Sequence, residues 1–230
     1  MAKLTKRQKN FTPLIVRNKK HSLADAVGII KKTATAKFDE SVDLAVKLGV
    51  DPRKSDQMVR GTCELPNGTG KKVRLVALTK GPKGNEAKEA GADIVGGDDI
   101  IAKIEGGWLD FDVLVVTPDM MGAVGKIGKI LGPRGLMPNP KNGTVAMDLP
   151  TAVARIKAGQ VSFKVDKAGI VHVPVGRASF SDEKLAENVR ALMETVRKVK
   201  PSSAKGVYLK SITLNTTMGP AVSLESSAFI

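Results

Sequence analysis

From Val42 to Val50 the apolar residues fall on every second position, with Asp43, Ala45, Lys47 and Gly49 between them. A strand turns successive side chains to opposite faces, so this run buries one face and leaves the other wet, as an antiparallel sheet allows. Two later runs break that rule. KVRLVALT (72–79) and FDVLVVTP (111–118) are apolar at consecutive positions, which suits strands covered on both faces in a parallel sheet. They alternate with helix-like segments, GNEAKEAGA, DDIIAKIEGG, MMGAVGKIGKIL and LPTAVARIKAG, and with a short strand at DIVGG. The chain therefore has to build two different kinds of sheet.

Their order along the chain predicts the arrangement. Residues 68–159 read as an α/β unit with a parallel sheet between helices. Before it lie a helix from Ser22 to Lys32, with Leu23, Val27 and Ile30 on one face, the alternating strand, and a second strand from Met58 to Leu65 that stops at Pro66-Asn67-Gly68. After Gly159 the alternation returns. VSFKVDKAGIVHVPV reads as a hairpin turning at Asp166–Gly169. SDEKLAENVRALMETVRKVKP reads as a helix capped by Ser181, with Asp182 and Glu183 at its positive end and a stripe of Leu185, Val189, Leu192, Val196 and Val199. GVYLKSITLNTTMGPAVSLE supplies one or two more strands. Neither end alone makes a core. Together, residues 1–67 and 160–230 predict one discontinuous α+β domain, a sheet of four or more strands backed by two helices, with the α/β unit inserted. The crossings near 67 and 159 sit at glycine-containing turns and make a natural hinge.

Charge narrows the partner. The 230 residues carry a formal net charge of +14 and a sequence pI near 9.9. Such an excess calls for a polyanion, nucleic acid first and an anionic membrane next. A membrane-surface role lacks an amphipathic helix with bulky apolar anchors and a lysine-rich face. Residues 1–20 hold seven Lys or Arg and no acid, either a solvated tail or a basic arm that orders on a phosphate backbone. The single cysteine, Cys63, permits no internal disulfide and fits a reducing cytoplasm. No signal peptide or membrane helix is expected.

Catalytic parts are missing. Neither the G-x-x-x-x-G-K-[ST] phosphate loop nor G-x-G-x-x-G after a strand occurs, for Lys126 and Lys129 precede Ile and place no hydroxyl for magnesium. His21 and His172 stand in dissimilar contexts, so no metal or cofactor site is expected. His172 reads as an ordinary strand residue, Cys63 as a small strand residue, and Asp98-Asp99 as a helix start.

Two surfaces remain. Residues 125–145, GKIGKILGPRGLMPNPKNGTV, hold five Gly, three Pro, three Lys, one Arg and no acid. Lys126 and Lys129, three apart, are expected on one helix face. Arg134 and Lys141 stand on Gly/Pro-rich backbone that a polyanion can approach closely. The units Gly122–Gly125 and Gly125–Gly128 resemble the G-x-x-G clamp of KH domains, without the flanking strand–helix order of that fold. The second surface is split: Lys37-Phe38-Asp39-Glu40-Ser41 before one strand, Ser211 in a late strand, and Thr216-Thr217-Met218-Gly219-Pro220 in the turn after it. Hydroxyls and backbone there can read ribose and phosphate, while Phe38 and Met218 offer apolar contact to an exposed base. Read from composition alone, the same residues are a strand flank and a turn.

GKILGPRGLMPNPKNGTV, KFDESVDLAVKLGVDPRKSDQMVRG and NTTMGP closely resemble the family of bacterial large-subunit ribosomal protein one, over essentially the whole chain. The resemblance implies a terminal α+β domain with an inserted Rossmann-like domain, joined by a hinge, and no catalytic activity. It implies binding to 23S rRNA in the mobile stalk of the large subunit, movement with transfer RNA leaving the exit site, and repression of the chain's own operon mRNA. It implies a cytoplasmic, ribosomal place and a free monomer. Its main RNA surface maps onto Lys37, Phe38, Glu40, Ser211, Thr217, Met218 and Gly219, and its secondary contact onto Lys126, Lys129, Arg134 and Lys141. The alternative is a nucleotide-binding α/β enzyme that uses residues 122–145.

Overall fold

A computed structural model of the chain describes residues 5, 9, 11–15, 19–80 and 83–229. The basic arm expected over residues 1–20 lies largely outside them. The elements run in order as follows. Helix α1 (Leu23–Thr33), strand β1 (Ser41–Leu48) and strand β2 (Arg60–Glu64) come first. Then come β3 (Leu75–Leu78), α2 (Lys83–Glu89), β4 (Ile94–Gly96), α3 (Asp98–Glu105), β5 (Val113–Val116), α4 (Met121–Lys126), α5 (Gly128–Leu131) and α6 (Leu149–Ala158). The chain closes with β6 (Gln160–Lys164), β7 (Ile170–Arg177), α7 (Asp182–Lys198), β8 (Leu209–Thr216) and β9 (Val222–Leu224). Two compact units result, one from the residues up to Gly70 and from Val161 on, the other from Lys71–Gln160.

In the terminal unit the sheet order is β7-β1-β8-β9, antiparallel throughout. The period-two strand is its centre. Val42, Leu44, Val46 and Leu48 enter one core with Ala26, Val27 and Ile30 of α1 and with Leu185, Val189, Leu192 and Val196 of α7. Ser22 caps α1, its hydroxyl accepting the Asp25 amide at 3.2 Å, and Ser181 caps α7 by accepting the Lys184 amide. The stripe of α7 contains one polar residue, Asn188, which is fully buried. Its side chain accepts the Asn67 amide at 3.1 Å and donates to the Gly68 and Val175 carbonyls. A buried amide needs such partners, and here they pin the segment that leaves this unit.

The hairpin expected at 161–175 is only half made. Asp166 does turn the chain, its carboxylate accepting the Ala168 and Ile170 amides at 2.8 Å each. Beyond one bridge, Val165 to Val171, β6 leaves β7 and pairs with β2 in a separate two-stranded sheet. Packing explains the departure. Phe163 of β6 is buried against Gly61 of β2, where a Cβ would stand 3.2 Å from its ring, and Val199 closes the same spot.

In the inserted unit the parallel sheet has the order β4-β3-β5. The consecutive apolar residues of β3 divide between its two faces. Val76 and Leu78 pack with α3, α4 and α5 through Ile100, Ile104, Val124 and Leu131. Leu75 and Ala77 pack with α2 and α6 through Ala87, Leu149 and Val153. The result is a three-layer α/β sandwich.

Candidate nucleic-acid interface

The terminal-unit surface is organised by a carboxylate. Glu40, 1% exposed, accepts the Ala36 amide at 3.1 Å with one oxygen and the Met218 amide at 3.0 Å with the other. Next to it Ser41 and Thr217 lock together. The Ser41 amide donates to the Thr217 hydroxyl, and the Thr217 amide to the Ser41 carbonyl, both at 3.0 Å. Arg177 donates to the Asp39 carbonyl and the Ser41 hydroxyl at 3.1 and 3.2 Å. The Asp39 carboxylate accepts the Ser179 amide and hydroxyl at 3.1 and 2.8 Å. Residues 36–41 are thus held from both sides, yet Phe38 in their middle is 54% exposed and Met218 is 55% exposed. Two apolar side chains thus stay in water beside a hydrogen-bonded frame.

Gly219 closes the turn, its amide donating to the Thr216 carbonyl at 3.1 Å. A Cβ there would collide with the Thr216 hydroxyl, so only glycine fits. The structure thus brings Lys37, Phe38, Glu40, Thr217, Met218 and Gly219 to one end of the sheet. Lys37 is exposed and has no ion-pair partner among the described residues. Glu40 works from inside, as a positioning group. Ser211 stands apart. It lies opposite Lys47, six residues before Thr217, about 20 Å along the strand at the usual rise. It shares the outer face with Thr213, Asn215 and Thr217, a polar row that the alternation with Ile212, Leu214 and Thr216 already contained. Arg177 and Ser179 were not in the sequence reading, since their pairing with Asp39 spans 138 and 140 positions.

Across this face Asp43 lies opposite Asn215 and Pro174. Burial pushes its carboxyl above the usual value, against the pull of His172 and Arg177. His172 is exposed on the same face, 3.7 Å from Asp166.

On the inserted unit the glycine- and proline-rich stretch is ordered. The single helix expected over Lys126 and Lys129 breaks at Ile127, whose φ and ψ are −90° and 4°, between α4 and α5. Gly125 and Gly128 flank the break and weaken the helix there. The two lysines therefore sit on successive short helices. Further on, the Asn139 side chain accepts the Lys141 amide at 2.9 Å, and the Asn139 amide donates to the Thr144 hydroxyl at 2.7 Å. Thr144 and Ala146 then tie the stretch to Val116 of β5. Lys126, Lys129, Arg134 and Lys141 are all exposed, with no ion-pair partner among the described residues. No acid stands between Asp119 and Asp148. Among the described residues no group of His, Cys, Asp and Glu is placed to hold a metal, and no helix is long and apolar enough to cross a membrane. Cys63 is buried in β2, accepts the Thr195 hydroxyl at 3.3 Å and has its thiol pushed up by burial.

Comparison with known proteins identifies the lineage. A sequence model of the ribosomal protein L1p/L10e family matches residues 30–220. The chain belongs to that family. It is also 58% identical over 228 residues to a protein of Flavobacterium psychrophilum described as large ribosomal subunit protein uL1, covering 99% of this chain and 100% of the relative. Family membership makes the chain a structural component of the large subunit of the cytoplasmic ribosome, and it removes the reading as a nucleotide-binding enzyme.

Proposed function

We propose that this chain binds 23S rRNA through the Phe38–Met218 end of its terminal unit and forms the mobile stalk of the large subunit. The inserted unit moves on a hinge at the crossings near 67 and 159 and follows exit-site transfer RNA as it leaves. The same rRNA surface takes a mimic in the chain's own operon mRNA and represses its translation. The free chain is a monomer.

The observation that supports this reading best is the Glu40 frame. A buried carboxylate takes the amides of two distant segments, and two half-exposed apolar side chains, Phe38 and Met218, flank it. Stacking on an aromatic gives contact to an unpaired base, while the hydroxyls and amides beside it suit ribose and phosphate. Because the frame is fixed before binding, little ordering entropy opposes association. The four exposed cations of residues 126–141 supply a secondary phosphate contact.

The test is a filter-binding titration of Met218→Asp and Lys126→Ala against a stalk-base rRNA fragment. Met218→Asp weakens binding far more. Equal, small effects would remove the main site from the terminal unit. For the regulatory role, a reporter carrying the operon leader is expected to fall when the chain is overproduced and to recover with Met218→Asp; no response of the reporter would end that part of the reading.

A further inference from the structure

The turn after β7, residues 175–180, holds two distant segments of the terminal unit at once. On one side is the Phe38 segment. The Arg177 guanidinium donates to the Asp39 carbonyl and the Ser41 hydroxyl at 3.1 and 3.2 Å. The Ala178 amide donates to the Glu40 carbonyl at 2.8 Å, and Ser179 donates to the Asp39 carboxylate.

On the other side is the segment by which the chain leaves this unit. The Asn188 side chain donates to the Val175 and Gly68 carbonyls at 2.7 and 2.9 Å and accepts the Asn67 amide at 3.1 Å. Gly70 rests on the turn itself. A Cβ there would stand 2.9 Å from the Arg177 Cγ and 2.9 and 3.0 Å from two atoms of the Phe180 ring. Its φ of 71° also favours glycine. The two units divide between Gly70 and Lys71, so these are the last residues of the terminal unit before the inserted one.

We infer that Arg177 is a positioning residue that couples the RNA surface to this exit segment: RNA held at Phe38 and Met218 stiffens residues 67–70, and a disturbance at 67–70 is felt in RNA affinity. The inference rests on the RNA-binding reading above. One side chain reaches both segments because its halves differ. The apolar stem packs and the guanidinium donates. Two acceptors on the frame fix the head, and the head fixes the path of the stem under Gly70. Phe180 follows the same turn, its amide donating to the Arg177 carbonyl at 3.1 Å. Ordering the frame therefore orders the support of the exit segment. Coupling of this kind is reciprocal: the factor by which RNA suppresses opening of 67–70 is the factor by which that opening weakens RNA binding.

Two variants separate the halves. Arg177→Met keeps an unbranched stem and removes the donors. Gly70→Ala leaves the frame residues as they are and presses a Cβ onto the stem and the ring. After melting curves show both to be folded, amide exchange is followed by NMR in the whole protein, free and saturated with the stalk-base fragment, relative to the core amides of β1. In the parent, RNA is expected to slow exchange at Asn67 and Gly68 by about fivefold or more. In Arg177→Met at saturation that slowing is lost. Gly70→Ala is expected to speed exchange at Ser41 and Ala178 without RNA, and to weaken fragment binding by about fivefold or more. Unchanged exchange at Asn67 and Gly68 when the parent is saturated, or a folded Gly70→Ala that binds as tightly as the parent, overturns the proposal. Slowing that persists in Arg177→Met removes Arg177 from the coupling and overturns it as well. If the parent does not bind the fragment, the RNA reading falls instead. The RNA-free comparison of Ser41 and Ala178 exchange then decides whether the turn links the two segments.

Discussion

The two candidate surfaces are built on opposite principles. At the Phe38–Met218 end, charge is spent internally: Glu40 and Asp39 hold backbone amides, and Arg177 holds a carbonyl. What faces water is mostly apolar and hydroxylic, with Lys37 and Asp39 beside it. On residues 122–145 the backbone is held by Asn139 and Thr144, which are neutral, and what faces water is four cations without an ion-pair partner among the described residues. The first surface can discriminate by shape and stacking. The second can only add attraction to phosphates, which is indifferent to sequence and fades with salt.

Removing the frame is the harshest way to break the contrast. Glu40→Ala leaves two amides without their acceptor, at about 1–3 kcal/mol each. The melting temperature is expected to fall, and specific RNA affinity by filter binding to drop about a hundredfold or more, because the segments that carry Phe38 and Met218 are no longer held together. Phe38→Ala comes next. A stacked base contributes about 1–3 kcal/mol, so binding drops about tenfold to a hundredfold while the melting temperature holds, because the ring is already half in water. The cationic surface answers differently. Lys126→Ala, Lys129→Ala, Arg134→Ala and Lys141→Ala each weaken binding about twofold at moderate salt, specific and scrambled RNA alike, and their combination lowers the salt slope by up to about 0.9 per cation. An inserted-unit variant that lost specific binding alone would reverse the assignment of roles.

The smallest effect concerns Asp43. Its folded carboxyl titrates above the ordinary 3.8, burial being the main cause. The folded state therefore prefers the proton. That contribution is fully present below 3.8 and is lost as pH rises through the folded value. Asp43→Asn should raise the melting temperature at pH 7 by on the order of a degree, and change nothing at pH 3. A melting series against pH reads the difference. The opposite sign would mean that His172 and Arg177 outweigh burial.

Much of this was legible in the residues. The alternation at Val42–Val50 marked the central antiparallel strand, and the consecutive apolar runs marked the covered parallel sheet, because face periodicity is local. Phe38 and Met218 stood out as apolar groups beside turns. What was not legible depends on distant pairing. Nothing in K-F-D-E-S says that Glu40 is buried, since its partner Met218 lies 178 positions away. Likewise β6 left its hairpin for β2 because Phe163 finds Gly61, a fit that no local pattern records. The break at Ile127 was within reach: two glycines in four residues are a poor helix, and the spacing of Lys126 and Lys129 distracted from it.

The central claim is that the neutral, framed surface carries recognition. Its most direct test is a filter-binding titration of the pure protein against the stalk-base rRNA fragment and an equal-length scrambled duplex, at several salt concentrations. A large preference for the stalk fragment that survives high salt, and disappears with Met218→Asp, is the predicted result. Equal, salt-sensitive binding to both RNAs would contradict the account, for then only the +14 charge would be binding.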